Sequence, residues 1–262
     1  MKQFNVGVIG ATGMVGQRFM LLLENHPWFN VKVLAASARS AGKTYKEAAK
    51  WAFDCEIPAK YQDMVVYDAE AQMDEIASQV DFVFCAVNMD KAKIRALEEA
   101  YAQKEVPVVS NNSAHRFTAD VPMIIPEIND AHLEVIASQR ARLGTKRGFI
   151  AVKSNCSLQS YVPLLHPLKA FGVKEAAVCT YQAISGAGKT FKTMPEILDN
   201  VIPYIGGEEE KSEKEPLKIW GSVENGEIVS ATSPIITAQC LRVPVSDGHT
   251  AAVFVKFDKK PV

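Results

Sequence analysis

The chain runs to 262 residues, of which 48% are apolar and 23% charged. That balance suits a globular protein with room for one large or two ordinary domains, and excludes a disordered one. A formal net charge of −1 provides no overall field for nucleic acid or an anionic membrane, so an anionic ligand must be gripped locally.

From the N-terminus, Met1-Lys2-Gln3-Phe4 passes directly into a strand pattern, with no signal-peptide profile. Phe4–Ile9 is a compact apolar run suited to a buried strand. Gly10-Ala11-Thr12-Gly13-Met14-Val15-Gly16 follows. Residues 17–24 then read as a helix with Phe19, Met20 and Leu23 on one face, and residues 31–36 as a second strand. This β-glycine turn-α-β opening predicts an α/β fold with a Rossmann-like, doubly wound parallel sheet. Residues 81–87, 106–110 and 150–152 continue it as strands. Residues 90–103, with Asp90 as cap, and 133–142 continue it as helices. Residues 45–63, broken by Pro58, read as a loop-rich insertion. The apolar runs, such as residues 82–87, are far too short to cross a bilayer.

The first domain is therefore placed at 1–153 and a second, α+β domain at 154–262. In the second, helices are expected at 157–171, 193–202 and 207–220, and a long strand at 175–184. Residues 237–243 and 250–257 read as strands of an antiparallel sheet. Five scattered cysteines, Cys55, Cys85, Cys156, Cys179 and Cys240, include no CxxC pair. They point to reduced thiols, a cytoplasmic setting and no cysteine-built metal site.

Two segments carry chemistry. Gly10, Gly13 and Gly16 sit between a strand and a helix. Without Cβ atoms, such a turn brings backbone amides close to a pyrophosphate at the helix N-terminus. The spacing is GxxGxxG, weak alone but stronger after the first strand of a βαβ unit. At the tip of the second strand, Ser37-Ala38-Arg39-Ser40 offers a guanidinium between hydroxyls, with no carboxylate before Glu47. A 2′-phosphate is welcomed by that arrangement, which favours NADP over NAD. The second segment is Ser154-Asn155-Cys156-Ser157, just ahead of the expected 157–171 helix. A thiol in a helix's first turn feels unpaired amides that favour thiolate, the nucleophilic form. The bland alternative for any cysteine is a small buried hydrophobe; Cys85 and Cys179, inside apolar strands, fit it.

These segments, followed by Gln182-Ala183-Ile184-Ser185-Gly186-Ala187-Gly188 and Arg242-Val243-Pro244-Val245-Ser246-Asp247-Gly248-His249, together resemble aspartate-semialdehyde dehydrogenase of the archaeal and fungal type. The resemblance spans nearly the whole chain. It implies reductive dephosphorylation of L-aspartyl 4-phosphate with NADPH, giving L-aspartate 4-semialdehyde and phosphate, in the biosynthesis of lysine, threonine and methionine. It makes Cys156 the nucleophile that forms a thioester, His249 the acid/base that takes and returns the thiol proton, and Gln182 the amide beside the reacting carbonyl. Arg242 would grip the substrate carboxylate, with Glu208, Lys211, Arg116 and Asn155 as further substrate contacts. Glu208 to Lys211 also fit a solvated helix face, and the next turn repeats their charges. The cofactor would meet Gly10 to Gly16, Ser37, Arg39, Ser40, Ser185, Gly186 and Gly188. A homodimer or homotetramer is implied, with no nucleic acid, membrane or metal partner. Family members continue past residue 262 with further strands and a helix returning to the cofactor domain. The second domain is accordingly expected to be partial, and the isolated 262-residue chain to turn over weakly or not at all. The alternatives are a related acyl reductase, such as a malonyl-CoA reductase, or a non-catalytic NADP-binding regulatory module.

Overall fold

The computed structural model describes residues 3–261. The chain divides into two compact units, Met1–Val121 with Ile136–Lys153, and Pro122–Val135 with Ser154–Val262. A single break at 153/154 therefore misses one excursion, residues 122–135, which cluster with the second unit although they lie between elements of the first.

In the first unit β1 (Phe4–Ile9) leads into α1 (Met14–Leu23) and β2 (Phe29–Ala36). The expected insertion at 45–63 is more ordered than a loop. It holds α2 (Tyr45–Ala48) and α3 (Ala59–Gln62), and is followed by β3 (Val66–Asp68) and α4 (Met73–Ala77), which periodicity did not reveal. A reciprocal cap starts α2: Glu47 Oε2 accepts from the Thr44 amide at 3.0 Å and from Thr44 Oγ1 at 2.8 Å. Tyr45 and Tyr61 are fully buried beside Met20, Leu34 and Val66, and each such side chain stabilises the fold by roughly 1.5–3 kcal/mol through apolar burial.

Then come β4 (Phe82–Cys85), α5 (Lys91–Gln103) and β5 (Val108–Ser110). Asp90 caps α5 as expected, accepting from the Ala92 amide at 2.8 Å. After β6 (Met123–Ile124) and α6 (Pro126–Asn129) of the excursion, α7 (Ile136–Leu143) and β7 (Ile150–Lys153) return to the first unit. Its strands run β3-β2-β1-β4-β5-β7, each paired parallel with the next. Strand order reverses between β1 and β4, the place where open α/β sheets bind ligands beyond their carboxyl ends.

The second unit departs further from expectation. The helix read at 157–171 breaks into a 3-10 turn Ser157–Ser160, α8 (Val162–Leu168) and a 3-10 turn Lys169–Phe171. Pro163 has no N–H for the Gln159 carbonyl, so the first turn cannot run on as α-helix. β8 (Val173–Gln182) follows. Residues 193–202 form only a 3-10 turn, Pro195–Ile197, because Pro195 ends the preceding pattern and Asp199 takes a positive φ of 55°. The charged segment does form a helix, α9 (Glu208–Ile219).

The hairpin of β9 (Ser222–Glu224) and β10 (Glu227–Val229) was not anticipated. Its turn is Asn225-Gly226, both at positive φ, the pair that a two-residue hairpin demands. Finally β11 (Ile235–Arg242) and β12 (His249–Phe257) flank β8 in the order β11-β8-β12. β12 pairs antiparallel but β11 pairs parallel, so the sheet is mixed where an antiparallel one was expected.

Candidate active site

Strand register builds the centre of the site. At the end of β8, Gln182 is paired with Arg242 of β11 on one side and with His249 of β12 on the other. Residues seven apart in sequence thus flank a third. The segment between β11 and β12 closes onto the end of β8, with the Ile184 amide donating to Val245 O at 2.9 Å and Ser185 to Ser246 O at 3.2 Å. Gly186 lies in the 3-10 turn Ile184–Ala187 that follows β8. A Cβ there would stand 2.9 Å from His249 Cε1 and 3.0 Å from Arg242 Nη1, so any larger residue would push one or both of these side chains out of place.

Cys156 Sγ lies 3.1 Å from His249 Nε2, and the cysteine is exposed. The other ring nitrogen, Nδ1, accepts from the Ala183 amide at 3.0 Å. Cys156 precedes a single 3-10 turn, whose dipole is smaller than that of the long helix expected from sequence, which leaves the imidazole as the closer partner for sulfur. The Cys156 side chain pulls the His249 pKa upward through its hydrogen bond and charge, against burial and the Arg242 guanidinium.

Around this pair the polar side chains form one connected group. Glu208 Oε1 meets Lys211 Nζ at 2.5 Å. Glu208 Oε2 accepts from Asn155 Nδ2 at 2.8 Å and from Gln182 Nε2 at 3.4 Å. Burial pushes the Glu208 carboxyl up, but the Lys211 ammonium and the two amides outweigh it and hold the group below its ordinary value. Arg242 donates from Nη1 to Ala183 O at 2.7 Å. Its burial lowers the guanidinium pKa, with the Glu208 and Cys156 charges pulling it back up.

Four of the five α9 carboxylates, all but the exposed Glu210, are thus not part of a solvated face. Glu209 and Glu213 accept from the Cys240 and Ala238 amides of β11. Glu215, fully buried, accepts from the Asn155 amide at 2.6 Å, one residue before the thiol. Glu215 and the Ala183 amide escaped the sequence reading. A carboxylate in a charged run gives no sign that it turns inward, and a backbone donor gives no sign at all.

In the first unit the glycine turn sits at the strand-order reversal. Gly10 has φ 89°, and a Cβ on it would come within 2.4 Å of Ala86 O; one on Gly16 would come within 2.2 Å of Gly10 O. The amides of Gly10 and Ala11 are anchored on Ala35 O at 2.8 and 3.0 Å, and Ala11 O accepts from the buried Tyr45 hydroxyl at 2.9 Å. Gln17 ties Thr12 O to the segment after α2, donating to Thr12 O and Lys50 O and accepting from the Ala52 amide.

Above the turn opens a cavity of about 350 Å³, lined among others by Gly10, Thr12, Gly13, Ser37 and Arg39. Ala11 is buried behind it, Met14, Val15 and Gly16 open α1, and Ser40 folds its amide onto Ser37 O. The first-turn amides of α1 lack intrahelical acceptors, and with the Cβ-free passage they fit a dinucleotide phosphate. Asp68 and Glu70 also reach the cavity from the end of β3, acidic neighbours that the linear reading did not place there. Asp68 Oδ1 is already engaged by the Glu70 and Ala71 amides. Arg116 belongs to the first unit, where it donates to Lys153 O at 3.0 Å and Asn111 O at 3.3 Å. Among the described residues, no cluster of His, Cys, Asp or Glu could hold a metal ion, and no helix is long and apolar enough to cross a membrane.

Comparisons with known proteins agree with this layout. Residues 5–136 match the family described as semialdehyde dehydrogenase, NAD binding domain, and residues 165–262 the semialdehyde dehydrogenase dimerisation domain. The aspartate-semialdehyde dehydrogenase of Methanothermobacter thermautotrophicus is 46% identical over 97% of this chain and 71% of its own length. That of Schizosaccharomyces pombe is 43% identical, over 97% and 71%. A crystal structure of the Candida albicans enzyme with NADP superposes with a TM-score of 0.86 at 39% identity, covering 100% of this chain and 73% of that one. The chain belongs to the aspartate-semialdehyde dehydrogenase family.

Proposed function

We propose that the protein is an oxidoreductase that converts L-aspartyl 4-phosphate to L-aspartate 4-semialdehyde and phosphate, with NADPH as reductant, through a thioester on Cys156. The observation that carries this reading is the 3.1 Å contact between an exposed cysteine and a histidine whose strand register also delivers Arg242 and Gln182.

Cys156 sulfur attacks the acyl carbon, the bond to the phosphate oxygen breaks, and phosphate leaves with the electron pair. Splitting the reaction this way lets one activated carbonyl serve both halves. His249, 3.1 Å from the sulfur, takes the Cys156 thiol proton as the attack begins and returns it later in the cycle. Arg242 presents a fork suited to the two oxygens of the substrate carboxylate, which a lysine would grip less specifically. Glu208 takes the substrate ammonium, and Lys211, with Arg116, the phosphate. Asn155 and Gln182 hold Glu208, and the Gln182 amide orients the reacting carbonyl. The glycine turn of residues 10–16 with Ser37, Arg39 and Ser40 would hold NADPH, whose chemistry is hydride donation to an acyl carbon, and Ser185, Gly186 and Gly188 are the residues of the second unit proposed as cofactor contacts.

The matched dimerisation domain supports a homo-oligomer, a dimer or tetramer in this reading. Five cysteines, none in a disulfide among the described residues, support a reducing, cytoplasmic setting. The test is phosphate- or arsenate-dependent reduction of NADP+ with aspartate semialdehyde, run beside Cys156→Ala. Turnover that ignores phosphate, or survives in the variant, overturns the proposal.

A further inference from the structure

We infer that Glu215, a buried carboxyl group outside the substrate contacts, is a positioning residue for the nucleophile: through the Asn155 amide it sets where the Cys156 sulfur stands against His249. The inference rests on the Cys156 thioester reading above and deepens it.

The sulfur and the imidazole reach each other by separate routes. His249 is delivered by the register of β12 on β8. Cys156 lies outside that sheet, just before the 3-10 turn Ser157–Ser160, so no strand ladder fixes it. A 3.1 Å contact between them therefore calls for an element bonded both to the sheet and to the cysteine segment. α9 is that element. Glu209 and Glu213, one helical turn apart, accept from the Cys240 and Ala238 amides of β11 at 3.4 and 3.1 Å. Glu208 and Glu215, two turns apart and so on one face of the helix, both reach Asn155. Glu208 Oε2 accepts from the Asn155 side-chain amide at 2.8 Å, and Glu215 Oε2 from its main-chain amide at 2.6 Å.

Asn155 passes this hold on to the cysteine. Its Oδ1 accepts from the Ser157 amide at 2.9 Å and from Ser157 Oγ at 2.6 Å, closing an Asx turn with Cys156 in the middle. Of the two α9 groups only Glu215 grips the backbone. The Asn155 side chain can change rotamer if Glu208 lets go, whereas its main-chain amide moves only with the peptide that leads into Cys156.

Other contacts hold the segment near the sheet without Glu215. The Tyr161 hydroxyl donates to Ser212 O of α9 at 2.9 Å, and β12 packs against the 3-10 turn. Both act after the cysteine, so they secure the fold more than the exact place of the sulfur. A plainer role for Glu215 would be to satisfy a buried amide, with stability as the only consequence. The two roles differ in what they ask of the side chain. Positioning asks for an acceptor oxygen at the reach of glutamate, whatever its charge.

The deciding experiment is a substitution series at position 215 in the full chain. It is read by iodoacetamide alkylation of Cys156 across pH, with the rate in Cys156→Ala subtracted, and by kcat and KM. Glu215→Gln keeps an acceptor oxygen at the same reach without the charge. Glu215→Asp keeps the charge but withdraws the oxygen by about 1.5 Å, one C–C bond. Glu215→Met fills the space with no oxygen. The glutamine variant should stay close to wild type. In the other two, alkylation at neutral pH should slow by about tenfold and its midpoint should rise toward that of an ordinary thiol, because the sulfur leaves the imidazole that favours its thiolate. Their kcat should fall by about a hundredfold, the scale of an ångström's misplacement. Their KM for NADP+ should not change, since the glycine turn lies in the other unit. An aspartate variant at wild-type rates, or a glutamine variant as slow as the methionine one, overturns the inference in favour of charge. Asp and Met variants that only melt earlier, with the wild-type alkylation profile, or that both fail to fold, reduce Glu215 to a structural role and overturn it too. Phosphate-dependent turnover that survives in Cys156→Ala refutes the thioester reading instead; the alkylation series needs no substrate and still decides for Glu215.

Discussion

The two units teach different lessons about how a sequence makes a site. In the first, the chemistry is local: strand, glycine turn and helix lie within residues 4–23, and the cavity forms where neighbouring parallel strands end. In the second, nothing is local. Cys156 and His249 are 93 positions apart, and only the pairing of β8 with β11 and β12 brings Gln182, Arg242 and His249 to one place. A local site depends on backbone clearance, and a long-range one on register. Substitutions should therefore separate the units by kind of damage as well as by size.

The largest effect belongs to the sulfur. Cys156→Ala should reduce phosphate-dependent turnover by about a thousandfold or more, since losing a covalent nucleophile removes the pathway itself. NADPH binding, read by fluorescence titration, should stay near wild type, because the glycine turn and its cavity lie in the other unit. Loss of both together would erase the distinction drawn here. Next comes Gly186→Ala, whose new Cβ would crowd His249 and Arg242 at 2.9–3.0 Å. Misplacement on an ångström scale costs roughly a hundredfold in rate, so kcat should fall by about that much while the thermal midpoint moves little. A wild-type kcat would show that the turn yields freely.

Much of the first unit was legible because its elements obey simple periods. The apolar run at β1, the αβ alternation and the Asp90 cap all follow from side-chain spacing. What was missed there, β3 and the small helices of residues 45–62, is too short for periodicity to register. The second unit was less legible for physical reasons. A parallel neighbour for β8 cannot be told from an antiparallel one by residue pattern alone. The prolines at 163 and 195 override otherwise helical stretches. The acidic run of α9 turns inward because amides of β11 and of Asn155 need acceptors. The site residues were found through motifs, and their grouping only through register. By contrast Asn225-Gly226 is a hairpin signal present in plain sequence that went unread.

A smaller effect sharpens the contrast from the first unit's side. Tyr45→Phe deletes the hydroxyl that donates to Ala11 O at 2.9 Å and leaves a buried carbonyl in the glycine turn without that donor. The cost is about 1–3 kcal/mol of stability, and NADPH should bind severalfold more weakly. Unchanged affinity in a fluorescence titration would mean that the turn holds its shape without Tyr45.

The smallest effect is a pH dependence in the second unit. Glu208 is buried, yet Lys211, Asn155 and Gln182 keep its pKa below the ordinary value. A carboxyl lowered on folding contributes stability that is fully present above its unfolded pKa and is lost as pH falls through the folded one. Glu208→Gln should therefore cost about 1 kcal/mol at neutral pH, the scale of a single partly shielded ion pair. The difference from wild type should shrink as acid protonates Glu208 in both the folded and unfolded states. Urea unfolding of the two proteins at neutral and at strongly acidic pH checks this, and Lys211→Met should move the loss to higher pH by weakening the main support of the charge. A deficit that persists unchanged in acid would assign Glu208 a packing role, and the connected polar group would then be held by shape and not by charge.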